Sequence, residues 1–507
     1  MEKITDKDLL KLYDYLDKIR LYSHTVHVLN YDMSTVAPEK GMDDLVKGIN
    51  YFSERIYEIQ KDEQFIALIN KLKKKKTFSS FDQYDQKLIN HYYRIIEKQK
   101  NITTKLNSEL NETTSLAYVT WLKAKNKNSY KLFAPTLEKV YEVSSKVIKL
   151  ENPNEKELYN TLFDDYEPGF TVTDLDNFFS DLEENLVPLV NKIRKATYSP
   201  RHDFIHRKVP LYKQEQFSRF LLEKNKFDFT RGSLSTTEHP FTDAFSYNDV
   251  RVTTHYYEDN FISNMYSIIH EGGHALFEQN LPKQSYEHRL DNLTLTMAKH
   301  ESVSRFYENI VGRSKEYLSS IYPTFLEIFK DEFSDISLND LYEGVNYVDF
   351  SNPIRTEADE LTYSLHILIR YKLERKILKG EADFKNLNNE WKKLYKDILN
   401  IDVKGDKEGI LQDVHWSSGF GYFPTYALGN ALNCMYVKKM DEDIHFLDTL
   451  QQGRLDLILE WMKKKVFSKA TTLDTKEWIK SITGNEFSAK DYIEYLNNKF
   501  LRLYHLK

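Results

Sequence analysis

Apolar side chains recur every three or four residues along most of this chain, which is the spacing of amphipathic helices. In residues 6–24 the pattern follows Asp6, a candidate helix cap. The apolar positions of this segment are Leu9, Leu12, Tyr13, Leu16, Ile19 and Tyr22. Breaks containing Pro or Gly fall at residues 37–41, 151–154, 167–169, 199–200 and 402–409. The pattern therefore predicts a mainly α-helical protein.

One segment departs from helical spacing. Residues 249–257 read Asp-Val-Arg-Val-Thr-Thr-His-Tyr-Tyr, in which β-branched and aromatic residues partly alternate as in a short strand. We therefore expect a small β-sheet inside the helical body. No internal repeat or long flexible linker divides the sequence, so we predict a single domain over residues 1–507.

Composition and charge narrow the classes of function. The 507 residues include only 16 Gly and 12 Pro, too few to turn the many short strands of an all-β protein. With 71 basic and 77 acidic side chains the net charge is −6, and no basic surface of the kind that binds phosphate backbones is indicated. We therefore expect no nucleic-acid partner.

The sequence also favours a cytoplasmic protein that does not enter membranes. It contains no apolar run of 18 residues, and its first ten residues mix both charge signs where a secretory signal would be apolar. Its single cysteine, Cys434, cannot form an internal disulfide, and we interpret it as part of the core.

The most specific pattern lies in residues 260–280, which read as one helix ending before Pro282. His270 and His274 are four residues apart, so both imidazoles point to one side and can meet a single cation. Glu271 lies one position on, where it can reach a water on that cation. This His-Glu-x-x-His pattern is typical of a zinc site with the glutamate as general base, and it would arise by chance only ~0.03 times in such a chain.

Gly272 and Gly273 lie in the middle of the same predicted helix. Each weakens a helix interior by roughly 1 kcal/mol relative to Ala, so something should compensate. Close approach of a substrate or of another backbone is one explanation, and tight helix packing is the other.

A catalytic zinc ion needs a third protein ligand and an open fourth position. A metzincin-type continuation would place Gly at 277 and His at 280, but the chain has Phe277 and Asn280. A carboxylate from a following helix is the alternative, and Glu301 provides one. From spacing alone, Glu278 and Glu308 compete with it, and a solvated helix face is the ordinary interpretation of any one of these acids.

Six motifs follow one another along the chain. They are His239–Phe241, Asp249–Thr253, His270–His274, His300–Ser302, Ile354–Asp359 and Gly409–Trp416. In these motifs and in their order the sequence resembles the thermostable-type carboxypeptidases of the peptidase M32 family, and the resemblance spans roughly residues 30–430. Tyr31 stands where the family commonly has Trp, and Val303 where a polar residue is commoner, but neither is at a ligand position.

The resemblance implies two helical halves flanking a deep substrate groove, with the small sheet beside the zinc helix and the site segment at about residues 235–430. It implies Zn²⁺ at the floor of the groove, with Co²⁺ or Mn²⁺ as substitutes, and a homodimer. It assigns Glu301 as the third ligand. Some other zinc peptidases have, four residues later, an Asp that braces a histidine; here Arg305 stands there, so the partners of His270 and His274 stay unassigned.

Further candidates follow by similarity to groove-shaped helical dipeptidases and oligopeptidases. His415 and Tyr426 are expected to contact the substrate carbonyl and the oxyanion, and Tyr422 to bind substrate. With 35 tyrosines in the chain, each Tyr could equally be a wall residue.

A free C-terminal carboxylate is recognised best by a guanidinium, and the motif arginines are Arg355 and Arg251. Arg355 begins a run containing Glu357 and Asp359, so a structural ion pair is its rival interpretation. Arg251 could equally brace the small sheet against the zinc helix.

We therefore expect a metal-dependent carboxypeptidase that uses a zinc-activated water and Glu271 to release C-terminal residues from peptides with a free C-terminus. An endo-acting oligopeptidase or dipeptidyl enzyme sharing the groove but lacking the carboxylate anchor is the first alternative. A non-catalytic, metal-stabilised peptide-binding module is the second.

Overall fold

The structure is a computed structural model, and it describes residues 6–507. The prediction that the first ten residues form no secretory signal concerns in part residues 1–5, which lie outside the described residues.

Most of the described chain is helical, as predicted. The helices of its first half are α1 (Lys7–Thr35), α2 (Met42–Lys61), α3 (Glu63–Lys73), α4 (Gln83–Gln99), α5 (Thr104–Asn126), α6 (Ala134–Glu151), α7 (Leu158–Tyr166), α8 (Val172–Arg194) and α9 (Leu211–Lys224). Those that follow are α10 (Phe261–Gln279), α11 (Lys283–Glu287), α12 (Met297–Arg305), α13 (Lys315–Ile328), α14 (Lys330–Phe333), α15 (Leu338–Val345), α16 (Tyr363–Leu378), α17 (Leu387–Leu394), α18 (Pro424–Ile444), α19 (Phe446–Gln451), α20 (Leu455–Met462), α21 (Thr475–Thr483) and α22 (Lys490–Leu503).

The first helix illustrates how the apolar pattern becomes structure. Asp6 caps α1, because its carboxylate accepts hydrogen bonds from the backbone N–H groups of Asp8 and Leu9. The apolar positions from Leu9 to Ile19 are buried, whereas Tyr22 is only half-buried. The helix continues well past residue 24, to Thr35, because no Pro or Gly interrupts it before Pro38.

A three-stranded sheet lies beside α10. Its strands are β1 (Gly232–Thr236), β2 (Thr242–Ser246) and β3 (Asp249–Thr254), in the order β1-β3-β2. Strand β3 pairs in parallel with β1 and antiparallel with β2, and Val252 lies between Leu234 and Thr242. Val250 and Val252 of β3 are buried, and β3 packs against α10. The strand predicted from residue 249 is thus confirmed, with its end at Thr254.

The buried apolar residues form two clusters. The larger extends from Ala117 to Tyr504 and surrounds α10, α12 and α18. The smaller unites α1, α3 and α4 with Leu290 of the loop that precedes α12. Cys434, in α18, is 5 % exposed and belongs to the larger core, as predicted.

Within residues 6–507, none of the helices combines the length and the apolar character that a bilayer crossing requires.

Candidate metal centre

Helix α10 presents two histidines on one side. It begins after Asn260, whose side-chain oxygen accepts a hydrogen bond from the Ser263 backbone N–H at 3.3 Å. Because an α-helix has 3.6 residues per turn, His270 and His274 lie one above the other, and their ring centroids are 4.9 Å apart. The helix predicted over residues 260–280 is confirmed, with the bounds Phe261–Gln279.

Helix α12 brings a carboxylate to the two rings. One ligand atom each from His270, His274 and Glu301 lie within 4.8 Å of one another, and the distance from His274 Nε2 to Glu301 Oε1 is 3.7 Å. Donor atoms ~2.1 Å from a tetrahedral zinc ion lie ~3.4 Å apart, so these atoms need little movement to share one ion. Two imidazoles and one carboxylate also form a donor set known from catalytic zinc sites. The residues present therefore fit a divalent metal ion.

Two glycines allow α12 to pack closely against α10 and α18, which brings Glu301 near the two histidines. A Cβ on Gly273 would lie 2.7 Å from the Cα of Ser304, and one on Gly429 of α18 would lie 2.6 Å from the Cβ of Glu301. A Cβ on Gly272 would meet the Leu222 side chain at 2.8 Å. For Gly273 the two explanations, close backbone approach and tight helix packing, coincide, because its approach to Ser304 is the packing of α10 against α12. The role of Gly429 was not predicted, although a glycine inside an apolar helical segment is a visible signal.

Glu271 faces the same cavity and is held by strand β2. The hydroxyl of Thr242 lies 2.8 Å from Glu271 Oε2 and 2.8 Å from the Glu271 carbonyl oxygen, and it donates its single proton to one of them. The side chain is largely buried, with 9 % exposed. Thr242 directly follows the His239–Phe241 motif, and its role was not predicted.

The partner of His270 is Glu308, which lies on the π-helical turn (residues 306–311) that continues α12. His270 Nδ1 is 2.9 Å from Glu308 Oε2, and Arg305 donates to the same oxygen at 2.8 Å. Burial favours the neutral acid, but the positive charge of Arg305 and the hydrogen bond from His270 hold the pKa of Glu308 at about 2. Glu308 therefore lies outside the group of three and orients one of its histidines, with Arg305 as its counter-ion.

The partner of His274 is a third histidine. His274 Nδ1 lies 3.1 Å from His300 Nδ1, and His300 Nε2 lies 2.9 Å from Glu278 Oε1. Burial lowers the pKa of His274, which favours the neutral form that can bind a metal. Burial also opposes ionisation of Glu278, but the hydrogen bond from His300 keeps the pKa of this carboxyl below its usual value. Glu278, the second competing acid, thus lies outside the group of three, although it also lines the cavity.

An open cavity of about 1190 Å³ extends from these residues. Its walls include His270, Glu271, His274, Glu301, Arg355 and Tyr426. The two predicted residues Arg355 and Tyr426 thus reach the same space as the predicted ligands.

Arg355 is held by a buried carboxylate far along the chain. Its Nε and Nη2 donate to Asp413 Oδ1 at 3.0 and 2.9 Å, and Arg370 donates to Asp413 Oδ2 at 2.6 Å. The two guanidinium charges keep the pKa of Asp413 below its usual value in spite of burial. The ion pair considered for Arg355 therefore exists, but its partner is Asp413 rather than the carboxylates of residues 357 and 359.

His415 and Tyr426 lie against each other beside this ion pair. His415 Nε2 is 3.3 Å from the Tyr426 hydroxyl, and the Arg355 guanidinium lies 5.0 Å from the centre of the Tyr426 ring. Burial lowers the pKa of His415 to about 4 and raises that of Tyr426 above its usual value. His415 lies behind Tyr426 and is absent from the described lining of the cavity.

Two predicted substrate-binding residues lie further away. Tyr422 packs behind Tyr426, with ring centroids 5.3 Å apart. Arg251 makes a two-point ion pair with Asp249 and lies 5.0 Å from the centre of the Tyr31 ring. Neither Tyr422 nor Arg251 is among the described residues that line the cavity.

Comparison with known proteins gives consistent matches over nearly the whole chain. A family model described as carboxypeptidase Taq (M32) metallopeptidase matches residues 11–500. Carboxypeptidase 1 of Bacillus subtilis is 36% identical over 498 residues, which cover 97% of this chain and 98% of that protein. The crystal structure of an M32 carboxypeptidase from Deinococcus radiodurans R1 aligns with a TM-score of 0.94 at 26% identity, covering 99% of this chain and 100% of that one.

A structure of Pyrococcus furiosus carboxypeptidase described as "Apo-Mg" aligns with a TM-score of 0.92 at 31% identity, covering 99% of this chain and 100% of that one. The matches extend beyond residues 30–430, where the motifs were found in the sequence.

Proposed function

We propose a mechanism for this chain, which belongs to the carboxypeptidase Taq (M32) family of metallopeptidases and is a metallocarboxypeptidase. In this proposal His270, His274 and Glu301 hold a divalent ion, and Glu271 is the general base. The observation that carries the proposal is the convergence of these four side chains on one cavity. The substrates are peptides with a free C-terminus.

Zinc is the ion we propose, with cobalt or manganese as substitutes. When bound, such an ion lowers the pKa of a water molecule and polarises the scissile carbonyl group. Imidazole ligands suit zinc, whereas magnesium prefers oxygen ligands only. We therefore expect magnesium, which is named for the Pyrococcus structure, to bind this donor set more weakly.

Glu271 moves the protons of the reaction. Its carboxylate takes a proton from the attacking water and delivers it to the departing amine. We propose that Thr242 donates its proton to Oε2 rather than to the carbonyl oxygen, which holds the carboxylate in place and leaves Oε1 to the water.

Tyr426 and His415 act on the carbonyl oxygen. Because burial raises the pKa of Tyr426, its phenol keeps its proton near neutral pH and can donate it to the oxygen as negative charge develops. His415, with a pKa of about 4, is uncharged there, and its contact with the Tyr426 hydroxyl orients the phenol.

Arg355 is the proposed anchor for the substrate's C-terminal carboxylate. A guanidinium has five N–H donors. Its Nε, Nη2 and Nη1 each direct one donor to Asp413 or Tyr363, which leaves two for a ligand in the cavity. Arg251 and Tyr422 stay predictions, since neither is among the described residues that line the cavity.

Glu271→Gln tests the proposal. We expect kcat to fall by ~10²–10⁴-fold while the metal content, measured by mass spectrometry of the purified protein, stays unchanged. The control is Glu343→Gln, which alters a buried carboxylate that accepts hydrogen bonds from Tyr198 and Asn339; it should keep full activity. Wild-type activity in Glu271→Gln contradicts the assignment of the base.

One peptide, prepared with a free C-terminus and with a C-terminal amide, distinguishes the carboxypeptidase from the alternative functions. Wild-type protein should release residues one at a time from the free acid and almost none from the C-terminal amide, because the amide removes the anchored charge. Equal cleavage of both forms would favour the endo-acting enzyme. A wild-type protein that holds stoichiometric zinc and cleaves neither would favour the peptide-binding module.

The last two proposed properties are the oligomeric state of the protein and its location in the cell. We propose a homodimer in the cytoplasm, from the family resemblance and from the lone buried Cys434. The chain has a mass of 60.2 kDa. A mass near that of one chain in light scattering would contradict the dimer.

A further inference from the structure

The two proposed metal-binding histidines are held by different acceptors. His270 donates from Nδ1 directly to the Glu308 carboxylate at 2.9 Å. His274 Nδ1 instead meets the Nδ1 of His300 at 3.1 Å. An imidazole that binds a metal through Nε2 must carry its proton on Nδ1. His300 must then present an unprotonated Nδ1 to accept it.

Glu278 determines which nitrogen of His300 carries the proton. His300 Nε2 lies 2.9 Å from Glu278 Oε1, and only a protonated nitrogen can face a carboxylate at that distance. The Asn292 amide donates to the same oxygen at 3.0 Å, so two hydrogen bonds hold this carboxylate, which is only 3 % exposed. A proton on Nε2 of a neutral imidazole leaves Nδ1 as the acceptor.

We propose that His300 and Glu278 are positioning residues that fix the tautomer and ring orientation of His274 through a one-way chain, in which His274 Nδ1–H donates to His300 Nδ1 and His300 Nε2–H donates to Glu278. The inference rests on the proposed metal site and adds two residues that do not bind the ion. Both ring nitrogens of His300 are used in this chain, so His300 is not a ligand itself.

The two ligands should consequently differ in strength. A carboxylate is a stronger acceptor than a neutral imidazole, so Glu308 makes His270 the more basic ligand. His274 depends on a chain of two hydrogen bonds, and breaking its first link should loosen one ligand of three.

A purely structural role for His300 is the competing explanation. Its ring lies 5.3 Å from that of Phe277 and 5.1 Å from that of His274, so it also fills space between α10 and α12. Two substitutions distinguish the explanations, because each removes either the ring of His300 or its hydrogen-bond acceptor and keeps the other. His300→Phe keeps a ring of similar size and loses the acceptor, whereas His300→Asn loses the ring and keeps an acceptor oxygen near the position of Nδ1.

The experiment measures the zinc dissociation constant of each variant by competition with a chromophoric chelator. We expect His300→Phe to bind zinc ~10–100-fold more weakly than wild type, and His300→Asn to retain most of the affinity. Thermal unfolding of the metal-free proteins checks that each variant folds. His366→Leu is the control, because His366 is a buried histidine that contacts Tyr395 outside the cavity lining; its zinc affinity should match wild type.

Two results would overturn the positioning role. One is wild-type zinc affinity in a folded His300→Phe variant. The other is a loss of affinity in His300→Asn as large as the loss expected for Phe, which would point to packing. His274→Ala tests the proposed metal site separately from the positioning role. If this variant bound zinc like wild type, the metal site itself would be misassigned, whatever the His300 variants show.

Discussion

The two sides of the cavity are built in different ways. The metal side consists of α10 and α12, whose backbones touch at Gly273, so that the spacing of side chains along two helices sets the position of every proposed ligand. The network side carries Tyr426 and Arg355, and there one carboxylate, Asp413, holds two arginines that come from different parts of the chain.

Because of this difference, substitutions on the two sides should change different properties of the protein, namely metal affinity on one side and stability on the other. On the metal side the ion would draw together three donors that helix packing has already brought close, and the partners behind them tune the affinity. On the network side a buried carboxylate joins Arg355 to Arg370 of α16, so loss of one partner leaves charges unpaired in the interior. We therefore expect metal-side variants to bind the ion more weakly and network-side variants to be less stable.

The largest effect should come from Glu301→Gln. Replacing the only anionic donor of the three should weaken zinc binding by more than the ~10–100-fold cost of losing a ligand's partner and should abolish peptide hydrolysis. Metal analysis after dialysis and a peptide assay measure both. Full zinc occupancy with normal turnover in this variant would remove Glu301 from the site.

Asp413→Asn should show the opposite behaviour. Arg355 and Arg370 would share no charged partner in the interior, so the free energy of unfolding should fall by ~3–5 kcal/mol, while zinc affinity stays near wild type. Urea unfolding and chelator competition measure the two quantities. Asp456→Asn breaks a two-point pair with Arg454 on the surface and should leave stability almost unchanged. A stable Asp413→Asn variant that has lost its metal would reverse the comparison.

Glu308→Gln should have an intermediate effect. The neutral amide is a weaker acceptor for His270 and leaves Arg305 without its closest carboxylate, so zinc affinity should drop ~10–100-fold. Glu360→Gln, which removes a buried carboxylate paired with Lys499 away from the cavity lining, is the matched control and should lower stability without changing zinc affinity. Similar zinc affinities for the two variants would mean that Glu308 has no special role.

Thr242→Val should have the smallest effect. Losing one hydrogen bond to Glu271 should reduce kcat by ~2–10-fold, with metal content and KM nearly unchanged. Thr242→Ser keeps the hydroxyl and should behave as wild type. If Thr242→Ser is impaired as much as Thr242→Val, the methyl group rather than the hydrogen bond supports the base.

Local patterns predicted much of this architecture. The bounds of α10 were within one residue, because Asn260 caps it and Pro282 prevents its continuation. The strand at residue 249 was also predicted, because its valines alternate with polar residues. The partners of Arg355 and His274 were not predicted, since Asp413 lies 58 residues from Arg355 and His300 lies 26 residues from His274.

The spacing of His270, Glu271 and His274 was decided by the chain alone, because helical geometry depends only on the backbone between them. Which of three nearby acids joined them was decided by the packing of α12 between α10 and α18. In that arrangement Glu301 faces the histidines, while Glu308 and Glu278 lie behind them. Sequence spacing places each carboxylate on a helix face, but the neighbour of that face depends on contacts between helices distant along the chain, where close backbone approach at two glycines outweighs any local preference.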